Sequence, residues 1–324
     1  MSDHIIELSQ EEQEIMEQLA SKINASPSRD PEWFCLLAKS ASQYIPYRIV
    51  VLLKEFSSKG NHNGFLLIKT APSENYPKTP SNNKQKVGET TILARIQAIM
   101  VSVISELVAY EAEGYGRLFQ DVVPIEYMAS HQTSVGSNVE LEIHTEQAFS
   151  KLRPDILSLA CIRGDINAIT HVLPVHRIID SLEDNNSKIL REPLWKTRVD
   201  LSFKLNGNKF LEGDVRGPLP ILHGSESDPW LTFDQDLMTG ETPDAQYMIK
   251  QIVDIYYKNR ISHNLVSGEI ILIDNRRAVH GRSPFFPRYD ETDRFLTRCF
   301  GIIDYERTRA SRPASGRVIS AIYS

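Results

Sequence analysis

Three stretches of the chain combine residue types that can do metal and carboxylate chemistry. The first reads V-E-L-E-I-H-T-E-Q-A at 139–148. His144 and Glu146 are separated by one residue, and in an extended segment alternate residues point to one face. An imidazole and a carboxylate would therefore converge from a strand end. Taken alone, H-x-E also fits an ordinary surface strand. The second stretch is I-I-L-I-D-N-R-R-A-V-H-G-R at 270–282, where an apolar strand runs into a polar turn and then His280. A third ligand from His280 would complete a two-histidine, one-carboxylate facial set, which leaves adjacent positions open on Fe(II). His280 alone also reads as a structural histidine. The third stretch, D-R-F-L-T-R-C-F-G-I-I at 293–303, alternates as a strand. Arg294 and Arg298 share a face with Leu296 and Phe300, expected to be the inward one. Two inward arginines are costly unless anions meet them, and guanidinium groups take carboxylates bidentately. The alternative is an edge strand with both arginines outward.

Together these stretches resemble the clavaminate synthase-like members of the non-haem Fe(II), 2-oxoglutarate-dependent dioxygenases. The likeness is strongest to the free-standing hydroxylases of arginine, lysine or asparagine. It is carried by G-S-N-V-E-L-E-I-H-T-E-Q-A-F at 136–149, R-P-D-I-L-S-L-A-C-I-R at 153–163 and N-R-R-A-V-H-G-R-S-P-F at 275–285, followed by the two arginines. It extends from about residue 115 to 305, and the first 110 residues carry no motif.

The resemblance implies a role for each matching position. His144, Glu146 and His280 would hold the iron. Arg294 would bind the distal carboxylate of 2-oxoglutarate, helped by Thr170 in N-A-I-T-H. Arg298 would pair with the α-carboxylate of an amino-acid substrate, and Gln120 in L-F-Q-D-V-V-P would hold its α-amino group. Gln132 and Ser134 would also line the pocket. Asp234 and Asp236, in F-D-Q-D-L-M, would clamp a cationic side chain if both face the cavity. An acidic pair suits arginine and a single aspartate suits lysine at least as well; a solvated turn is the plain alternative. The implied reaction is hydroxylation of an unactivated side-chain carbon of a free basic L-amino acid, arginine ahead of lysine, with Fe(II), 2-oxoglutarate and O2 consumed and succinate and CO2 released. Glu146 occupies the place a halide would need, which favours hydroxylation over halogenation. A related dioxygenase acting on another small substrate, a desaturase, and a non-enzymatic jelly-roll binding protein are the competing readings.

The elements that must position these residues follow from pattern. Ser9 and Glu12 form a capping box ahead of the periodic run Ile15–Ile23. Further helices are expected over Pro31–Tyr44, Tyr47–Phe56 and the apolar run Thr91–Tyr110, read as one buried helix. A strand is expected at Gly64–Lys69 and a polar loop at Ala71–Glu89. After Gly114, short apolar runs broken by turn residues read as strands: Leu118–Val123, Val139–Ile143, Ile156–Ile162, Ile169–Val172, Val199–Phe203, Trp230–Phe233, Glu269–Ile273 and Arg294–Ile303. One amphipathic helix, Asp244–Tyr257, capped at Thr242, interrupts them. The expected fold is α+β: a double-stranded β-helix, or jelly roll, with a helical N-terminal region. The expected layout is one domain over 1–324, with helical support at 1–113, the jelly-roll core at 114–304, a lid at about 205–228 and a tail at 305–324.

Composition bounds the rest. The 324 residues are 41% hydrophobic and 24% charged, with 36 Lys+Arg against 42 Asp+Glu, a formal net charge of −6. That balance argues against nucleic-acid binding, which calls for a basic excess. Three scattered cysteines, Cys35, Cys161 and Cys299, make neither a disulfide framework nor a zinc site. No basic start is followed by an apolar signal region. A small-molecule partner, no membrane partner and a cytoplasmic setting are expected; composition leaves the oligomeric state open. Neither a P-loop nor a G-x-S-x-G is present, and Gly114 and Gly116 lack the third glycine of a dinucleotide loop.

Overall fold

The computed structural model describes residues 4–72, 74–200, 215–313 and 316–320. The N-terminal third is helical, as the pattern predicts. A short strand β1 (Ile5–Glu7) leads to α1 (Gln10–Ser21), then α2 (Pro31–Ala41) and α3 (Tyr47–Lys59). The capping box is formed: Glu12 N–H donates to Ser9 Oγ at 3.2 Å, and Ser9 N–H donates to Glu12 Oε2 at 2.9 Å. Strand β2 (Phe65–Lys69) and helix α4 (Ile92–Ile104) follow.

The run 91–110 is not one helix. Ser105 turns extended at φ −155°, ψ 176°, its N–H and its Oγ both returning to Val101 O. The chain then enters β3 (Glu106–Tyr110). Leu107 and Val108 pair with a strand far along the chain, and that pairing overrides the local apolar pattern.

The remaining strands are β4 (Gln120–Val122), β5 (Leu141–His144), β6 (Ile156–Arg163), β7 (Thr170–Pro174), β8 (Trp195–Arg198), β9 (Val215–Leu219), β10 (Leu222–Gly224), β11 (Pro229–Leu231), β12 (Met238–Gly240), β13 (Ile261–His263), β14 (Glu269–Asp274), β15 (Ala278–Arg282), β16 (Phe295–Ile302) and β17 (Val318–Ile319). Two six-residue helices that periodicity did not signal, α5 (Val175–Asp180) and α6 (Asp184–Ile189), precede the expected long one, α7 (Pro243–Asn259), capped by Thr242. The strand expected at Val199–Phe203 falls mostly outside the described residues, as does 205–214 of the expected lid. The described part of that lid forms β9 and β10, and β10 pairs with β11 just beyond it. The segment expected as a tail rejoins the sheet, with β17 parallel to β3.

Two sheets face each other. The larger runs β1-β2-β14-β6-β16-β3-β17, with β4 also on β16; the smaller runs β13-β7-β15-β5. Leu157, Ile271, Ile273, Leu296 and Phe300 of the larger sheet meet Val172 and Ala278 of the smaller in a core between them. The outer face of the large sheet, including Ile68, Leu272 and Cys299, packs on α1–α4. The outer face of the small sheet, with Ile143, Leu173 and Val279, packs on α5 and α7. This is the jelly-roll arrangement with helices on both outer faces. The arginine strand is thereby resolved: Leu296 and Phe300 face inward, and Phe295 and Cys299 face the helices. No helix among the described residues is long and apolar enough to cross a membrane.

Candidate active site

The two motif histidines sit on neighbouring antiparallel strands. His144 of β5 is directly opposite His280 of β15, with ring centroids 4.4 Å apart. A Cβ at Gly281 would lie 2.7 Å from Leu141 O, so glycine is what lets β5 come this close. Glu146 follows where the chain leaves β5. Its N–H donates to Asn275 Oδ1 at 2.7 Å, while Asn275 Nδ2 donates to Glu146 O and Pro154 O at 3.1 and 2.8 Å. Asn275, in the turn before β15, thus locks the carboxylate segment to the second histidine strand.

Ligand atoms of His144, Glu146 and His280 all lie within 4.8 Å of one another and could hold a metal ion. His144 Nδ1 is 2.8 Å from Glu142 O, a carbonyl that can only accept, so Nδ1 carries the proton and Nε2 is the free ligand atom. Burial pushes the His280 ring down to about 4, so it is neutral near pH 7. Burial acts to raise the Glu146 carboxyl, but Arg298 and the two histidines outweigh it and hold the group well below the usual carboxylate range. A neutral His280 ring and an ionised Glu146 are donor forms that a divalent metal takes, and two histidines with one carboxylate match the Fe(II) facial set.

A cavity of ≈ 810 Å³ opens over this group, within the size range of small-molecule sites. One of its corners is cationic. Arg294 is 5% exposed and forms no ion pair among the described residues; burial lowers it to about 10. Thr170 Oγ1 is buried without a partner there, and Thr170 is paired in register with Arg282. Arg282 donates to Gly136 O at 2.6 Å and Val139 O at 3.1 Å, stapling the approach to β5. Burial and nearby Arg294 lower it to about 9. The Phe285 ring lies 4.8 Å from the Arg282 guanidinium carbon and 5.7 Å from that of Arg294.

A second corner is zwitterionic. Arg298 donates through Nε to Gln120 Oε1 and through Nη1 to Glu146 Oε1, each at 3.1 Å, and ion-pairs through Nη2 with Glu113. Gln120, expected to meet an α-amino group, gives its carbonyl to Arg298. Burial raises the Glu113 carboxyl to about 7 against the opposing pull of Arg298.

The third corner is acidic. Asp234 bridges His144 through the backbone and accepts Leu237 N–H at 2.8 Å. It is buried, which raises it to about 7. Asp236 lines the same cavity from an exposed position, so the two aspartates are one buried acid and one at the mouth. Gln132 uses both ends of its amide on the β5 segment, donating to Glu140 O and accepting Glu142 N–H, and so positions that strand. Ser134 lines the wall.

Four cavity or supporting residues escape pattern reading: Glu113, Gln147, Asn275 and Arg282. Asn275 and Arg282 lie inside the N-R-R-A-V-H-G-R stretch, where a polar turn and a third arginine were visible. Gln147 directly follows the metal motif. Glu113, in E-A-E-G-Y-G, carries no local signal, because only the pairing of β16 with β4 and β3 brings it to Arg298.

Comparison with known proteins accords with this geometry. The model of the taurine catabolism dioxygenase TauD, TfdA family matches residues 177–300. An L-lysine 3-hydroxylase of Catenulispora acidiphila is 46% identical over 99% of this chain and 90% of its own. Clavaminate synthase 2 of Streptomyces clavuligerus is 27% identical over 93% of each chain. The solved structure of asparagine oxygenase with Fe(II), (2S,3S)-3-hydroxyasparagine and succinate superposes with a TM-score of 0.90 at 30% identity, covering 98% of this chain and 99% of that one. Likeness at this level runs through helical support, both sheets and the metal motif together, and the chain belongs to the TauD/TfdA family of Fe(II)/2-oxoglutarate-dependent oxygenases, among its clavaminate synthase-like amino-acid hydroxylases.

Proposed function

We propose that the protein hydroxylates the side chain of a free basic L-amino acid, with Fe(II) held by His144, Glu146 and His280 and with L-lysine ahead of L-arginine. The observation that carries this reading is the set of three differently charged corners around one metal-ligand group. Bound Fe(II) and 2-oxoglutarate supply, with O2, an oxidant able to hydroxylate an unactivated carbon, releasing succinate and CO2. The chain's own part is binding and orientation. Arg294 and Thr170 are suited to the distal carboxylate of 2-oxoglutarate, since a buried guanidinium with no acid partner among the described residues calls for an anion. Arg298 is suited to the substrate α-carboxylate, and Asp234 to the side-chain cation. Anchoring an amino acid at both ends fixes the carbon between them beside the metal ligands.

Two observations favour lysine over the arginine that the sequence pattern favoured. One carboxylate of the aspartate pair is buried, which matches a compact ammonium better than a forked guanidinium. The Catenulispora relative is a lysine 3-hydroxylase. The test is succinate release and a mass gain of one oxygen with each amino acid in turn. Lysine is expected to give the largest coupled signal. A larger signal from arginine would reverse the order, and background succinate with both would overturn the basic-amino-acid reading.

A further inference from the structure

The segment that carries Asp234 is joined to the metal motif itself. β5 is the end strand of the smaller sheet. Residues 233–235 lie along its free edge and make one antiparallel bridge there, Asp234 opposite His144. Thr145 N–H donates to Phe233 O at 2.8 Å, and Gln235 N–H donates to Ile143 O at 3.0 Å. These two bonds flank the bridge, so Asp234 and His144 form the close, non-hydrogen-bonded kind of pair, with both side chains on one face. His280 stands opposite His144 on the other side. Asp234, His144 and His280 thus form a row across three neighbouring backbones, and all three line the cavity.

A single bridge is a short splice for such a row. A slip of one residue along β5 would turn Asp234 out of the cavity. Thr145 reinforces the splice from the opposite face. Its Oγ1 donates to Phe233 O and accepts Phe233 N–H, each at 3.3 Å. One hydroxyl therefore reads both main-chain polar atoms of one residue, which fixes where along β5 the segment sits. Thr145 and Phe233 are fully buried, so losing the hydroxyl takes that acceptor from Phe233 N–H in a place that water does not reach. The Phe233 ring packs with Ile143 and Val279 behind the small sheet.

We infer that Thr145 is a positioning residue that fixes the distance between Asp234 and the metal ligands, and so decides which length of basic side chain fits and which of its carbons lies beside the metal. The inference rests on the reading of Asp234 as the receptor for the side-chain cation. The alternative is that the packed Phe233 ring sets the register unaided.

Ligand length separates the two. Lysine and ornithine differ by one methylene and share both charged ends. Their affinities are measured by calorimetry on the Fe(II)- and 2-oxoglutarate-loaded enzyme without oxygen. The unaltered protein should discriminate between them by about 10-fold or more, as one methylene does in a fitted site. Thr145→Val keeps the shape and removes the hydroxyl. Its discrimination should shrink to about threefold or less, and with oxygen the product should spread over more than one hydroxylated carbon. Thr145→Ser restores the hydroxyl and should stay within about twofold of the unaltered ratio. A purely structural loss would weaken both ligands alike and leave the ratio untouched. Equal affinities in the unaltered protein, or an unchanged ratio with a single hydroxylated carbon in Thr145→Val, would overturn the inference and leave the substrate reading intact. Asp234→Glu serves if Thr145→Val does not fold or does not take up Fe(II). With the backbone held in place, a carboxylate one methylene longer should shift the preference toward the shorter ligand; an unshifted preference would overturn the fixed distance. If arginine binds in place of lysine, the substrate order reverses, and arginine against 2-amino-4-guanidinobutanoate completes the comparison. Binding of none of these ligands by the unaltered protein would overturn the receptor reading and the inference together.

Discussion

At the scale of single residues, the cavity separates charges that would otherwise compete. Arg294, just before β16, and Arg298, within it, are four residues apart, yet they meet different surroundings. Arg298 is enclosed by two carboxylates and an amide, whereas Arg294 has the Phe285 ring 5.7 Å away and no ion pair among the described residues. The first already meets acids of the chain, and the second meets none among the described residues. Arg294→Lys keeps the charge and loses the planar fork. It should raise the dissociation constant for 2-oxoglutarate by about 10-fold to 100-fold, measured by calorimetry on the Fe(II)-loaded protein, with little change for the amino acid once 2-oxoglutarate is saturating. Equal weakening of both ligands would contradict the division of labour. Alternation showed that His144 and Glu146, and Arg294 and Arg298, could share a face, and the resemblance of the motifs gave that face its expected direction. Glu113 was not legible in this way, because its partner is far away in sequence and its neighbours follow no period.

At the scale of elements, α4 is the piece that ties the helical support to the catalytic sheet. It is apolar nearly all round, but it carries Gln97, fully buried against the sheet. Gln97 Nε2 donates to Ser158 Oγ at 2.9 Å and to Thr297 O at 3.2 Å, and Gln97 Oε1 accepts Thr297 Oγ1–H at 2.9 Å. These bonds join α4 to β6 and to β16, one residue before Arg298. Gln97→Leu matches the volume but strands two buried hydroxyls, each able to lose about 1–2 kcal/mol. Chemical denaturation should show a loss of about 2 kcal/mol, and amino-acid affinity should fall more than affinity for the metal. Sequence periodicity located this helix but ran it six residues too far, to Tyr110 rather than Ile104. The error has a physical source: Glu106–Tyr110 is apolar enough for either state, and its pairing with Ile302, Gly301 and Phe300 decides the outcome. Short α5 and α6 escaped because six residues hold too little periodicity to be read.

At the scale of the whole molecule, both sheets are covered on their outer faces and the cavity is the opening between them. The β10–β11 ribbon carries a half-buried histidine that joins it to the loop before β6. His223 Nε2 lies 3.0 Å from Arg153 Nη2, which can only donate, and 2.9 Å from Thr232 Oγ1. It must therefore be the unprotonated nitrogen, and burial pushes the ring down to about 4. The unfolded chain takes up that proton near pH 6.5, so the unfolded state binds more protons between the two values. Stability contributed by His223 is present above about pH 6.5 and lost as pH falls through about 4. The melting temperature should decline over that window, and His223→Gln should flatten the decline. His171, lowered to about 4 chiefly by burial, acts with the same sign. An identical acid slope in the variant would remove His223 as a cause. Net charge of −6, the most visible global number in the sequence, foretold none of this; the jelly-roll class was legible from strand lengths, but the closure of the large sheet by β17 was not, since two residues carry no pattern.

The direct opposition of His144 and His280 across β5 and β15 has a consequence for how the chain finds its fold. Side chains alternate along a strand, so a slip of one residue between these strands would send one imidazole to the far side of the sheet. Iron affinity is then a measure of alignment. Among all the ways of laying β5 on β15, only the native one offers both rings to the same ion, and mass action rewards that one alone. A metal held by both rings would therefore favour the native register of β5 on β15 over a one-residue slip.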